Sequence, residues 1–298
     1  AEPFANASVP VRDRNRLMEL ARQHVQKGNH QGERSAAQWL ISRWLPDEQD
    51  DSVPDDIQFL TIQAPVEFMM GSPQSERYRE KHETHRLVTI QRSFQISTHE
   101  ITVAQFRRFR QRPRPAREVT TGDNCPMGNV SFLNAIRFCR WLGDQAGLDE
   151  SEQVYPPISE IKENLVITDE MLLRTGYRLP TEMEWEFACR AGTATPWFIG
   201  TEPKDLSAFA WYSHNSDALL SPVGQLAPNP LGLFDIYGNV GEWCHSFRPE
   251  NITNQLLRGG GYHSLPGRLR SAQRYFFEPN NALSFTGFRI ARTLPREK

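Results

Sequence analysis

Apolar positions recur in two rhythms along this 298-residue chain. In residues 1–50 the period is helical. Leu17, Leu20, Ala21 and Val25 share one face of the stretch 15–27, which Gly28 stops, and Ala36, Ala37, Leu40, Ile41 and Trp44 repeat the pattern up to Pro46. These predict a helical lead-in over 1–50, too short for a core of its own and expected to pack on the main domain or on an upstream one. The acidic, proline-containing run 47–56 reads as solvated, with residues 51–56 as the linker. From Ile57 the period shortens to that of strands, at 59–62, 66–70 and 87–96. Thr102 with Gln105 and Thr181 with Glu184 form capping boxes, and Ser131 caps a run carrying Ala135, Phe138, Cys139 and Leu142, so three helices are predicted. Gly192 is expected to close the helix that Thr181 opens. Residues 144–175 read as a long polar insertion, and the chain from Trp197 onward as turns and short strands. The fold class is α+β, rich in irregular structure.

The C-terminal region 257–293 has a frame and a filling. Arg258, Gly259, Gly260, Gly261, Leu269, Arg270, Ser271, Ala272, Arg274, Pro279, Gly287, Phe288 and Arg289 make the frame. Consecutive glycines let backbone approach a neighbour closely, and Leu269/Ser271 and Phe288/Ile290 alternate as short half-buried strands would. Between them lie Tyr262, His263, Ser264 and Leu265, then Tyr275, Phe276 and Phe277, then Leu283, Ser284 and Phe285, without periodicity. Large apolar side chains on loops point to a ligand-binding surface, although Phe276 and Phe277 would serve equally as a lid on the core. Trp141, Trp185 and Trp243 read as core; Trp197, Trp211 and Tyr212 are expected to border the ligand surface.

A net charge of -2 gives no general attraction to nucleic acid or anionic membrane, and no apolar run reaches membrane-spanning length. Cys125, Cys139, Cys189 and Cys244 lie far apart with no CxxC pair, which fits buried thiols in a cytoplasmic protein. His24, His30 and Glu33 do not share a helix face, and His82-Glu83-Thr84-His85 lacks the spacing of a zinc protease, so neither set reads as a metal site.

The segments GSPQSERYREKHETHRLVTI, FQISTHEITVAQF, NVSFLNAIRFCRWL, GYRLPTEMEWEFACRAG, PVGQLAPNPLGLFDIYGNVGEWC, RGGGY, LRSAQR and TGFRIART occur in that order. Together they resemble the formylglycine-generating enzyme, or sulfatase-modifying factor, domain over residues 57–293, leaving residues 1–56 uncovered. The resemblance implies a C-type-lectin-like fold for residues 57–298. It also implies, for an active oxidase, two cysteines closely following the glycine motif to bind cuprous ion. Here His263 and Ser264 follow Tyr262, and no cysteine occurs from His245 to Lys298. The family's ergothioneine-synthesis branch uses an N-terminal histidine-bearing bundle that the lead-in is too short to supply. No catalytic cofactor is therefore expected.

The C-terminal frame also resembles variable proteins of bacterial diversity-generating retroelements. In these the positions between frame residues are diversified, chiefly at adenines of asparagine codons. His, Ser, Leu, Tyr, Phe, Ala and Thr are all reachable in that way, whereas Gln273 and Glu278 are not. The resemblance to formylglycine-generating enzymes further implies a structural calcium site at Asp235, Gly238, Val240 and Glu242. By analogy it also places Arg258, Arg270, Arg274 and Arg289 near Glu182, Glu184 and Glu186, as structural clamps. The expected function is non-catalytic recognition of a protein or other macromolecule, in a bacterial, cytoplasmic setting. The competing expectations are a divergent metal-dependent oxidase or hydroxylase, and a regulatory domain fused to an upstream signalling enzyme.

Overall fold

The computed structural model describes residues 56–111, 115, 118–246 and 254–295. The expected helices of the lead-in, and all of the linker except Asp56, lie outside these residues. In chain order the elements are strands β1 (Phe59–Ile62), β2 (Val66–Met70), β3 (Arg86–Ile90) and β4 (Phe94–Ser97), then helices α1 (Val103–Phe109), α2 (Phe132–Gln145) and α3 (Asp169–Leu172). Strand β5 (Tyr177–Arg178) and helix α4 (Glu182–Arg190) follow. The rest is strand and loop: β6 (Ala210–Trp211), β7 (Tyr237–Gly238), β8 (Gly241–Cys244), β9 (Gln255–Arg258), β10 (Tyr275–Phe277), β11 (Thr286–Gly287) and β12 (Ala291–Thr293).

All four of these helices start where side chains satisfy their first free N–H groups, Thr168 accepting from the Met171 N–H at α3. Thr102 and Gln105 cap α1 reciprocally, Thr181 and Glu184 do the same for α4, and Ser131 accepts from the Asn134 N–H at α2. Helix α4 turns left-handed already at Ala191 (φ 47°), one residue before the glycine expected to close it.

One sheet has the order β1-β4-β12-β5, so the last strand lies beside the first ones; the second has the order β10-β9-β8-β11. Strands β2 and β3 form a separate antiparallel pair. The single strand expected over 87–96 is therefore two strands in two sheets. The polar Gln91-Arg92-Ser93 interrupts it, and the Ser93 hydroxyl accepts from the Ala64 N–H to hold the turn.

One apolar cluster packs Phe106, Phe138, Leu142, Trp243 and Phe288 around α1 and α2; a second packs Phe94, Ile96, Trp185, Leu233 and Tyr237 around α4. Several expectations change here. The insertion 144–175 contributes Val154, Tyr155, Ile161 and Leu172 to the first cluster. Trp197 and Tyr212 belong to the second cluster rather than to a ligand surface, because loop position says nothing about burial in a domain this poor in regular elements. Leu269–Ser271 and Phe288–Ile290 are not strands, and every residue in both is buried. Arg270 and Arg289, between the apolar positions, face buried carboxylates instead of water, which removes the polar face an alternating strand needs.

Candidate functional site

The C-terminal frame is held by arginines that sequence can flag but not pair. Arg258 donates to the Ser271 and Gln273 carbonyls (2.9 and 3.2 Å) and to Glu186 Oε2 (2.8 Å). Arg274 lies 2.8 Å from Glu182. Glu184, the third expected partner, instead takes both guanidinium nitrogens of Arg178 (2.6 and 2.7 Å). Arg270 reaches away from α4 to Glu76 (2.6 Å), to both oxygens of Glu83 (2.7 and 2.8 Å) and to the Tyr78 carbonyl (2.6 Å). The Arg258 and Arg274 forks tie the C-terminal segment to helix α4, and the Arg270 fork ties it to the loop carrying Glu76 and Glu83, so irregular backbone is fixed by charge-assisted bonds where a ladder is lacking.

On this frame the fillings form one patch and one outlier. His263 is exposed, and its ring meets Phe285 at 4.7 Å and Tyr262 at 5.0 Å. Phe285 continues to Phe277 at 6.1 Å. A Cβ at Gly261 would stand 2.8 Å from the Phe285 Cβ, so the third glycine is what lets this ring lie down. The Ser284 hydroxyl bonds the Tyr262 hydroxyl (3.0 Å), and the Ser264 hydroxyl accepts from the Gly261 N–H (3.0 Å). Tyr275 donates its hydroxyl to the Arg268 carbonyl. Leu283 is half-buried and Leu265 is 67% exposed.

Two corrections follow. Tyr262 is 7% exposed and packs with Cys125, Leu220 and Val240, so it supports the patch from below instead of lying on its exposed face. Phe276 and Phe277 are half-buried on opposite faces of β10. Phe277 packs edge-on against Trp243, while Phe276 turns away to His82 (5.7 Å). Burial holds His263 below the ordinary histidine pKa, so at neutral pH it presents an uncharged ring.

The residues expected to hold calcium do not fit that ion. Glu242 has both oxygens taken: Oε2 accepts from Trp185 Nε1 and Arg289 Nε (2.7 Å each), and Oε1 from Arg289 (2.8 Å). Asp235 Oδ2 accepts from the Gly224 N–H (2.7 Å), while its buried Oδ1 has no partner. That leaves one spare carboxylate oxygen beside the Gly238 and Val240 carbonyls, short of the roughly six to eight oxygens calcium takes. No group of three or more His, Cys, Asp or Glu side chains suited to a metal occurs among the described residues. The four cysteines are all buried free thiols.

A feature absent from the sequence reading adjoins the patch. A cavity of about 860 Å³ opens between the loop 73–80, the loop 194–203 and residues 265–268. Tyr78, the only aromatic residue apart from histidines in the charged run 76–86, stands on its wall, 53% exposed and at a positive φ of 65°. A bulky residue in this left-handed region is strained. The Tyr78 carbonyl is pinned by Arg270, and its ring lies between the Arg77 guanidinium (4.7 Å) and the backbone of Gly267. Leu265 lines the same cavity, joining it to the patch.

Comparison with known proteins agrees with this architecture. The formylglycine-generating enzyme of Thermomonospora curvata is 26% identical over 210 residues, 59% of this chain and 58% of that protein. The inactive Cα-formylglycine-generating enzyme 2 of Mus musculus is 34% identical over 139 residues, 41% of this chain and 45% of that one. The chain thus spans only about half the length of these relatives. Among solved structures, Treponema denticola variable protein 1 superposes with a TM-score of 0.65 at 25% identity, over 79% of this chain and 95% of that one. No helix among the described residues is long and apolar enough to cross a membrane. The model of the sulfatase-modifying factor enzyme 1-like domain matches residues 56–294, and the chain belongs to that family.

Proposed function

We propose that this domain is a non-catalytic recognition module that binds a protein or other macromolecule through its C-terminal surface. The observation that carries this reading is the division of labour in residues 257–293. Frame arginines and glycines are buried and bonded to neighbouring loops and carboxylates, while His263, Phe277 and Phe285 pack together on top and Leu265, Tyr275, Phe276, Leu283 and Ser284 are exposed or half-buried. Rigid aromatic side chains on a fixed frame give large contact area at small entropic cost. The likeness to a variable protein supports diversification of this surface, and the likeness to an inactive family member supports loss of the oxidase chemistry. His263 and Ser264 stand where that chemistry needs thiolates, and a hydroxyl is a poor cuprous ligand.

Two measurements test the reading. The purified chain, given copper and a cysteine-containing peptide, is expected to consume no oxygen; thiol-dependent oxygen uptake overturns it. The codons for residues 258–293 are expected to have a near-copy downstream, differing mainly at adenines and accompanied by a reverse transcriptase gene. Without that copy the recognition surface is fixed rather than diversified.

A further inference from the structure

We infer that Arg107, Arg108 and Arg110, at the end of α1, form a docking surface for the acidic segment 47–55 of the same chain, which precedes the described residues. The inference is independent of the recognition reading and concerns different residues. The first ground is a contact already made. Ile57 is buried in the first apolar cluster, which fixes the chain beside α1. The preceding Asp56 pairs its carboxylate with Arg108 (2.6 Å), and its carbonyl accepts from Gln105 Nε2 (2.9 Å). Gln105 Oε1 meanwhile accepts from the Thr102 N–H in the capping box, so one side chain both starts α1 and holds the entering chain. Segment 47–55 is thus tethered at its end to the surface proposed for it.

The second ground is charge. Asp47, Glu48, Asp50, Asp51 and Asp55 fall within a segment that contains no lysine, arginine or histidine. Arg107 and Arg108 remain 45% and 50% exposed in their pairs with Asp123 and Asp56. Arg110 is exposed and has no carboxylate partner among the described residues. The α1 dipole favours cations at this end, but it is equivalent to at most about half a negative charge against three guanidiniums. Asp56 and Asp123 match two of them, and Arg110 is left to be matched from elsewhere. The arginines at 112, 114 and 117 raise the local positive charge further; they lie outside the described residues and are not part of the site. The third ground is reach. One exposed ion pair is worth little alone, but a segment tethered at Asp56 meets the surface at an effective concentration on the order of millimolar. Residues 47–55 span at most about 30 Å when extended, and the three arginines lie within about one helical turn, so several carboxylates reach them at once. The run that composition alone reads as solvated is then a clasp, holding the root of the lead-in against the domain.

The test is cleavage of the full chain after Glu48 by a glutamate-specific protease at low salt, followed by mass spectrometry. A docked segment is cut only when it opens, so the rate reports the open population. Arg107→Asp combined with Arg110→Asp is expected to raise the rate about tenfold, and Arg107→Lys with Arg110→Lys to leave it near the parent's. In the parent the rate should climb toward that of the charge-reversed variant as salt is raised, once corrected by a free peptide of residues 40–55. Both arginines are exposed, so these variants should melt with the parent. Asp50→Lys with Asp51→Lys, added to the charge-reversed variant, should restore slow cleavage. Equal rates in the parent and the charge-reversed variant, or no restoration by the exchanged charges, overturn the clasp. A single-stranded oligonucleotide that binds the parent, fails to bind the charge-reversed variant and leaves cleavage unchanged assigns the arginines to nucleic acid, and also overturns it.

Discussion

Under the C-terminal segment four carboxylates, Glu76, Glu83, Glu182 and Glu186, meet four guanidiniums, Arg190, Arg258, Arg270 and Arg274. Around Asn239 three carboxylates, Glu100, Asp235 and Glu242, lie near one guanidinium, Arg289. Both clusters are buried, and only the first is balanced. In the balanced cluster burial pushes Glu83 and Glu186 upward, but their arginines outweigh it and both end below the usual carboxylate range. In the unbalanced one, burial and then the neighbouring Asp235 and Glu242 carry Glu100 well above that range. Burial also lifts Asp235 to about 6, although the Gly224 N–H and Arg289 pull the other way. Glu83 and Glu186 therefore keep their charges, whereas at Glu76 burial outweighs Arg270 and raises the pKa, and the other cluster is relieved by holding protons.

Breaking the sole cation of the unbalanced cluster should have the largest effect. Arg289→Met leaves Glu242 buried with only the Trp185 N–H, beside two further carboxyls, and should cost about 5 kcal/mol in urea unfolding. A loss under about 1 kcal/mol would show that the cluster is already neutral. Arg270→Met should cost less, about 3 kcal/mol, because part of the damage can be absorbed by the loop that carries Glu76 and Glu83. The specific sign is accelerated proteolysis within residues 73–86 while α4 stays protected in hydrogen exchange. Uniform loss of protection would mean that the two ends of the clamp unfold together.

Asp235→Asn sharpens the comparison with an opposite sign. The folded pKa of Asp235 is about 6 against an ordinary 3.8, so the folded state holds the proton more tightly. Its contribution is fully present below the unfolded pKa and is lost as pH rises from about 4 to 6. Well above pH 6 the variant should exceed the parent by about 3 kcal/mol, and below pH 4 the two should converge. A stability difference that does not change between pH 4 and 7 would remove titration of Asp235 from the account.

What sequence conveys about these clusters depends on distance along the chain. Thr102, Ser131 and Thr181 signal their helices because a cap is settled within three residues. The glycine run before Tyr262 signals close approach, and Phe285 is what approaches. The frame arginines are legible as groups that need partners, but Arg270 and Glu83 are 187 positions apart, and no local pattern encodes that pairing. Tyr78 was hidden for a related reason. Its surroundings are a charged loop in sequence, and its exposure and backbone strain follow from a clamp reaching in from the C-terminus. Trp197 and Tyr212 failed in the opposite sense, as loop residues that the fold buries.

The smallest expected effect concerns calcium, and it bears directly on the unbalanced cluster. With Glu242 saturated by Arg289 and Trp185, binding would require breaking a bidentate buried pair before the ion gained its oxygens. The melting temperature at neutral pH should therefore be the same in excess calcium and in excess chelator. A calcium-dependent rise would mean that Glu242 exchanges its guanidinium for the metal, and Asp235→Asn then decides what the exchange achieves. If the rise disappears in that variant, the unpartnered Oδ1 is a ligand and the excess carboxylate is compensated by a cation rather than by a proton. In that event the stability gain expected for Asp235→Asn above pH 6 must also vanish when calcium is present. The two measurements cannot both favour the proton-holding cluster and the metal-holding one.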